Sequence, residues 1–129
     1  RKIILDNHNS LTAIEEIMLL MSSRLNHINS VIKPALSNKQ IVISDRFVDS
    51  TFVYQGYVNK FGLSNAMNLH KKLLDNFLPK KTFLFLLSAD QILKRLKKRK
   101  IKNKYDKLDL SFHHKVILGY KKISHRTLC

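Results

Sequence analysis

The chain has 129 residues, with 24 Lys and Arg against 9 Asp and Glu, 44% hydrophobic residues and a single cysteine. That length and apolar content suit one globular domain with its own core, and a formal charge of +15 favours partners that carry phosphate: a nucleotide, a nucleic acid or an anionic membrane surface. A lone thiol at Cys129 excludes a disulfide framework and a cysteine-based metal site. No apolar run approaches the roughly 18 residues of a membrane span and no signal-peptide pattern opens the chain, so the expected setting is soluble and cytoplasmic.

The chain opens on Arg1 directly into the apolar run Ile3-Ile4-Leu5 and closes on "HRTLC" with no helix stop, so both ends read as cut. From Leu11 to Ala35 the residues Ile14, Ile17, Met18, Met21, Leu25, Ile28 and Ile32 fall at helical spacing, with Pro34 and Ser37-Asn38 as punctuation. "IVIS", Ile41 to Ser44, is β-branched with no polar face, as expected of a strand covered on both sides. A second helix, capped by Ser64 and carrying Met67, Leu73, Leu74 and Phe77, is expected to stop at Pro79. "TFLFLLS", Thr82 to Ser88, reads as the next strand, and Ser88 to Gln91 has the spacing of a capping box that starts a third helix. Lys94 to Lys107 holds nine Lys/Arg against one Asp, after which Phe112, Val116 and Tyr120 resume helical spacing. Helix, strand, helix, strand, helix predicts an α/β doubly wound parallel sheet with ligands beyond the C-terminal ends of the strands.

Asp45 and Arg46 follow "IVIS" directly and so emerge at that sheet edge. A carboxylate there can hold Mg²⁺ through water and a guanidinium can grip a phosphate, which are the two needs of phosphoryl transfer; the alternative is an ion pair closing a strand end. Arg24 lies three positions after Met21 and points into the apolar stripe of its helix. A guanidinium held there needs either a core salt bridge, to Asp45 or Asp49, or the polar edge of a ligand. His8 and the adjacent His113 and His114 lack ligand spacing, so no metal is assigned to them.

The stretch "ISDRFVDSTFVYQGY" satisfies the pattern D-R-aromatic-x-x-S-[ST]-x-x-Y-Q-G through Asp45, Arg46, Phe47, Ser50, Thr51, Tyr54, Gln55 and Gly56. With R-x-x-H…I-K-P-A-L from Arg24 to Leu36 and the later run "KTFLFLLSADQILKRLKKRK…KYDKLDLSFHHKVILGY", the chain resembles bacterial thymidylate kinase over nearly its whole length. The resemblance implies a P-loop NTPase-like sheet of the nucleoside monophosphate kinase type, phosphoryl transfer from ATP to dTMP giving dTDP for DNA synthesis, Mg²⁺ as cofactor, a homodimer, and no membrane or specific nucleic-acid partner. It implies a dTMP-binding core over about 11–60 and a lid over about 94–108, within a single partial domain spanning 1–129.

Residue by residue, the resemblance makes Asp45 and Arg46 catalytic, Asp45 near the Mg²⁺ and Arg46 on the dTMP phosphate. Arg24 would meet the thymine edge, with Thr51 beside it; Tyr54 would pack on the deoxyribose, Ser50 and Gln55 would complete the pocket, and Tyr120 would close over the base. Lys94, Arg95, Arg99, Lys100 and Lys104 are the lid cations. Two departures stand out: Lys104 replaces a usual arginine, a point charge in place of a planar fork, and Leu20 replaces a usual phenylalanine, leaving Met21 to cover the ring. His27 reads as a structural hydrogen-bonder. The chain has 3 glycines, Gly56, Gly62 and Gly119, and none completes G-x-x-x-x-G-K-[ST]. The expectation is therefore an internal fragment, inactive alone, lacking the P-loop and the last strand and helix. The competing readings are another deoxynucleoside or nucleoside monophosphate kinase, or a basic nucleic-acid-binding module using 94–107.

Overall fold

The computed structural model describes residues 2–5, 10–98 and 105–124. Helices α1 (Lys2–Leu5), α2 (Ala13–His27), α3 (Lys33–Ser37), α4 (Val48–Thr51), α5 (Leu63–Leu74), α6 (Ala89–Lys97) and α7 (Leu110–Ser124) are joined by two π-helical segments, Ile28–Ile32 and Phe52–Val58.

The predicted first helix is a composite rod of α2, the first π segment and α3. Thr12 opens it with a capping box: its hydroxyl accepts from the Glu15 amide, and the Glu15 carboxylate accepts from the Thr12 amide at 2.7 Å. Pro34 sits in the first turn of α3 without breaking the rod. A proline ring in a straight α-helix would collide with the carbonyl four residues back, here Ser30, and the wider π turn immediately before it relieves that clash. The rod ends at Lys39, whose φ of 57° is left-handed. Its buried face runs through Glu16, Ile17, Met21, Ile28 and Ile32, whereas Ile14, Met18 and Leu25 are exposed; the apolar stripe is wider than the core it meets.

The segment Phe52–Val58 is the hub. It packs against α2, α5 and α7, and a helical stretch contacted on three sides buries residues around much of its circumference: Phe52, Val53, Gln55 and Gly56 are all buried. Ile17, Met21, Ile28, Ile32, Val48, Phe52, Ala66 and Leu74 form the main core, and Val53, Val116 and Ile123 form a second cluster under α7. Gly56 is what lets α5 approach, since a Cβ there would stand 3.0 Å from the Ala66 Cβ.

Helix α5 begins two residues earlier than expected, with Gly62 and not Ser64 at its N-cap. Gly62 has φ of 99°, a conformation open to glycine and strained for other residues, and its amide donates to Gly56 O at 2.9 Å. The helix ends at Leu74 on two left-handed residues, Asp75 and Asn76, well before Pro79. Ser88 caps α6 as expected: its hydroxyl accepts from the Gln91 amide at 3.3 Å, and the Gln91 side chain accepts from the Ser88 amide at 3.1 Å. Asp109 caps α7 by accepting from the Phe112 amide at 2.9 Å.

The expected parallel sheet is not formed among the described residues, where neither "IVIS" nor "TFLFLLS" is a strand. A strand needs a neighbour for its N–H and C=O groups, and neither segment has one there. Both are non-helical and strongly exposed on alternate residues: Ile41, Ile43, Phe83 and Phe85 are 91%, 90%, 80% and 90% exposed, while Val42, Leu84 and Leu86 are about half as open. Two-residue alternation of this kind is the pattern of an extended backbone with one face turned toward the rest of the molecule.

Candidate active site

Asp45 and Arg46 sit on the bend between "IVIS" and α4. The Ser44 hydroxyl donates to Arg46 O at 3.0 Å, and Arg46 itself has φ of 67°. A left-handed arginine is unfavourable by roughly 1–2 kcal/mol, and such strain concentrates at functional sites. The bend delivers both side chains to the lip of a cavity of about 1030 Å³. Arg24, Ser50, Thr51, Tyr54 and Gln55 line the same cavity, so it gathers Asp45, Arg46 and every predicted dTMP-binding residue except Tyr120.

Arg24 answers one of the two alternatives left open by its position, the core salt bridge. Its guanidinium donates to the Thr51 hydroxyl at 2.9 Å and to Phe47 O at 3.4 Å, and it lies 5.4 Å from the Phe47 ring centroid. The partner is thus neither Asp45 nor a direct contact with Asp49, although the Asp49 charge acts on it. Burial pulls the Arg24 pKa down to about 10, with Asp49 opposing, and burial pushes the Asp49 carboxyl up, with Arg24 opposing. The α2–α4 junction therefore presents a half-buried cation and a buried hydroxyl side by side.

Tyr120, on α7, reaches this wall from the other side of the second cluster. Its hydroxyl shares a hydrogen bond of 2.9 Å with that of Ser50, and burial holds its pKa above the ordinary tyrosine value, so it remains a protonated phenol. The Tyr54 ring lies under the Arg46 guanidinium at 5.7 Å. Gln55 faces inward, donating to the carboxylate of buried Glu16 at 2.7 Å. Leu20 lines the cavity; Met21 does not take over its role, because it falls on the core stripe, is 2% exposed and faces the Arg24 guanidinium through its sulfur. His27 is exposed on the cavity rim.

A second cavity of about 420 Å³ adjoins the first, lined by Arg95 together with Arg46, Tyr54, Tyr105, Asp106 and Tyr120. Of the expected lid cations, Lys94 and Arg95 are exposed on α6, while Arg99, Lys100 and Lys104 lie outside the described residues. Among the described residues no group of three or more His, Cys, Asp or Glu could hold a metal, and no helix is long and apolar enough to cross a membrane. One exposed carboxylate at a cavity lip, Asp45, fits the way Mg²⁺ is usually held beside phosphates, by one or two carboxylates and water.

Two residues of this site escape a reading of the sequence, Glu16 and Tyr105. Glu16 precedes Leu20 by one helical turn and is buried behind the cavity wall, bonded to Gln55 and Tyr105, and an acid on the buried stripe of α2 is the available signal.

Comparison with known proteins agrees with the geometry. The family model described as thymidylate kinase matches residues 1–128. The chain is 37% identical to a thymidylate kinase of Rickettsia africae (strain ESF-5) over 119 residues, covering 92% of this chain and 59% of the relative. It is 42% identical to a thymidylate kinase of Mycoplasma capricolum subsp. capricolum over 123 residues, covering 93% and 58%. With one of Mycoplasmopsis agalactiae the identity is 37% over 124 residues, covering 95% and 58%. The chain thus spans just under three fifths of the length of the curated relatives it matches. A family match along nearly all of its residues, on a chain whose signature stretch lines one cavity, makes this chain a member of the thymidylate kinase family, for which a P-loop NTPase-like fold is implied.

Proposed function

We propose that the chain carries the acceptor-nucleotide site of a dTMP kinase, which moves the terminal phosphoryl group of ATP to dTMP and releases dTDP. The observation that carries this reading is the convergence of Arg24, Arg46, Ser50, Thr51, Tyr54 and Gln55 on one cavity. In it, Arg46 at the lip binds the acceptor phosphate and holds it in line for attack. The paired Arg24 and Thr51 meet the hydrogen-bonding edge of thymine, the Tyr54 ring packs on the deoxyribose, and Ser50 and Tyr120 close the wall. Asp45 would hold Mg²⁺ through water; when bound with ATP, the ion neutralises charge on the phosphates.

The acceptor core corresponds to about 11–60 and the lid to about 94–108, where Arg95 and the cations that follow it in the sequence would serve the donor phosphates. The two exposed apolar ribbons support the sheet of this fold, which needs further strands to pair with them. Ile14, Met18 and Leu25 form one exposed stripe on α2, which supports a homodimer through that helix. None of the 3 glycines falls in a phosphate-cradling motif, so the 129-residue chain alone is expected to bind dTMP without turning over ATP. The test is Arg46→Ala in the full-length protein, followed by ADP release in a coupled assay. Loss of dTMP-dependent turnover by at least ~10²-fold is expected from removing a charge-stabilising group; retained turnover would overturn the role given to Arg46.

A further inference from the structure

Glu16 is a carboxylate buried to 2% exposure at the point where α2, the π segment Phe52–Val58 and the turn after residue 104 converge. Its Oε2 accepts from Tyr105 OH at 2.8 Å and from Gln55 Nε2 at 2.7 Å, and Gln55 Nε2 also lies 3.2 Å from Tyr105 OH. Burying a carboxylate is expensive, and an apolar residue of similar volume is commonly the more stable choice. What the acid adds is directional: it fixes two donors from elements 39 and 89 positions away.

The second donor matters for the cavity. Tyr105 is edge-on to Tyr54 with centroids 5.2 Å apart and is stacked on Phe112 at 6.1 Å. Tyr54 in turn lies under the Arg46 guanidinium. Arg46, Tyr54, Tyr105 and Asp106 line both cavities, so together they are the partition between them.

We propose that Tyr105, moored on the buried Glu16 carboxylate, is a positioning residue: it sets the Tyr54 ring, and through it the Arg46 guanidinium, before the acceptor phosphate arrives. The role rests on the dTMP reading above for what the cavity binds, while the mooring itself does not. Burial, then Glu16, push the Tyr105 phenol up, so it keeps its proton and its role as donor throughout the working range of pH.

The test uses the full-length protein with Tyr105→Phe, which keeps the ring and removes the hydroxyl, with Glu16→Gln, and with both. Hydrogen–deuterium exchange of the peptide covering 105–112 is read without ligand, and dTMP binding is read by titration calorimetry. In Tyr105→Phe, exchange is expected to rise at least about fivefold, and the dTMP dissociation constant about tenfold, the worth of one hydrogen bond to a charged group. The KM for ATP should stay within about twofold. The double variant should bind dTMP no more weakly than the weaker single variant, the signature of two residues acting through one contact.

Unchanged exchange in Tyr105→Phe overturns the mooring. Raised exchange with unchanged dTMP affinity, or equal losses for dTMP and ATP, reduces Tyr105 to a structural residue, and additive losses break its link to Glu16. Should Glu16→Gln fail to fold, Tyr105→Phe decides by the first three readouts. Failure of the unmutated protein to bind dTMP sinks the acceptor reading, and the exchange comparison still decides the mooring.

Discussion

Replacing Arg24 by methionine in the full-length protein separates the two consequences of placing a guanidinium in the inner stripe of α2. In the folded chain burial pulls the pKa of Arg24 well below the ordinary arginine value, to about 10, so holding it charged costs about 3 kcal/mol. The sign is that of a base depressed by folding: below pH 10 both folded and unfolded chains are protonated and the penalty is present in full, and it is relieved only as pH climbs from 10 toward the ordinary arginine value. Methionine fills similar space without the charge, but it strips the donor from the Thr51 hydroxyl and from Phe47 O, at about 1 kcal/mol each. The difference is a net gain of about 1 kcal/mol, or a rise of roughly 2–4 °C in the melting temperature of a domain of 150–250 residues. Binding of dTMP should move the other way, weakening about 10- to 100-fold as a charge-assisted hydrogen bond to the base is lost. Scanning calorimetry without ligand and titration calorimetry with dTMP read the two effects separately. A lower melting temperature with unaltered dTMP affinity would refute both the burial argument and the assignment to the base edge.

Two further outcomes follow from the packing. His70 is buried edge-on to Phe52, and burial, then the Arg24 charge, lower its pKa from 6.5; the unfolded chain therefore takes up a proton first, and stability falls as pH drops from about 6.5. His70→Leu should flatten the loss of urea midpoint between about pH 7.5 and 5.5, and an undiminished slope would show that other groups cause it. Gly56→Ala places a Cβ 3.0 Å from that of Ala66 and should cost about 1–3 kcal/mol in a denaturant melt by wedging α5 off the hub; a melt identical to that of the parent would mean the two elements slide apart freely.

What could be read from the sequence follows the separation between partners. The Ser88 capping box involves residues three apart and is visible as a spacing, and the signature from Asp45 to Gly56 is a local pattern. The composite rod was legible as periodicity, but which apolar residues it buries depends on the width of the core, so Ile14, Met18 and Leu25 face outward. The cap of α5 at Gly62 depends on a contact with Gly56, which the local pattern pointing to Ser64 does not contain. Ribbon composition identified Ile41 to Ser44 and Thr82 to Ser88 as β-prone, whereas pairing depends on neighbours absent from the described residues. In the site, Arg24 with Thr51 spans 27 positions, Ser50 with Tyr120 spans 70 and Tyr105 with Glu16 spans 89; the first was anticipated as a shared pocket, the last was not.

The two ribbons also govern how this chain behaves at concentration. Bare isoleucines and phenylalanines on uncharged β-prone windows are adhesive toward copies of themselves. Lys39 stands just before one window and Lys80 with Lys81 just before the other, gatekeeper placements whose repulsion reaches only about a Debye length. Added salt is therefore expected to lower the concentration at which the chain leaves solution, because it mutes the lysines while the aromatic and branched side chains keep their attraction.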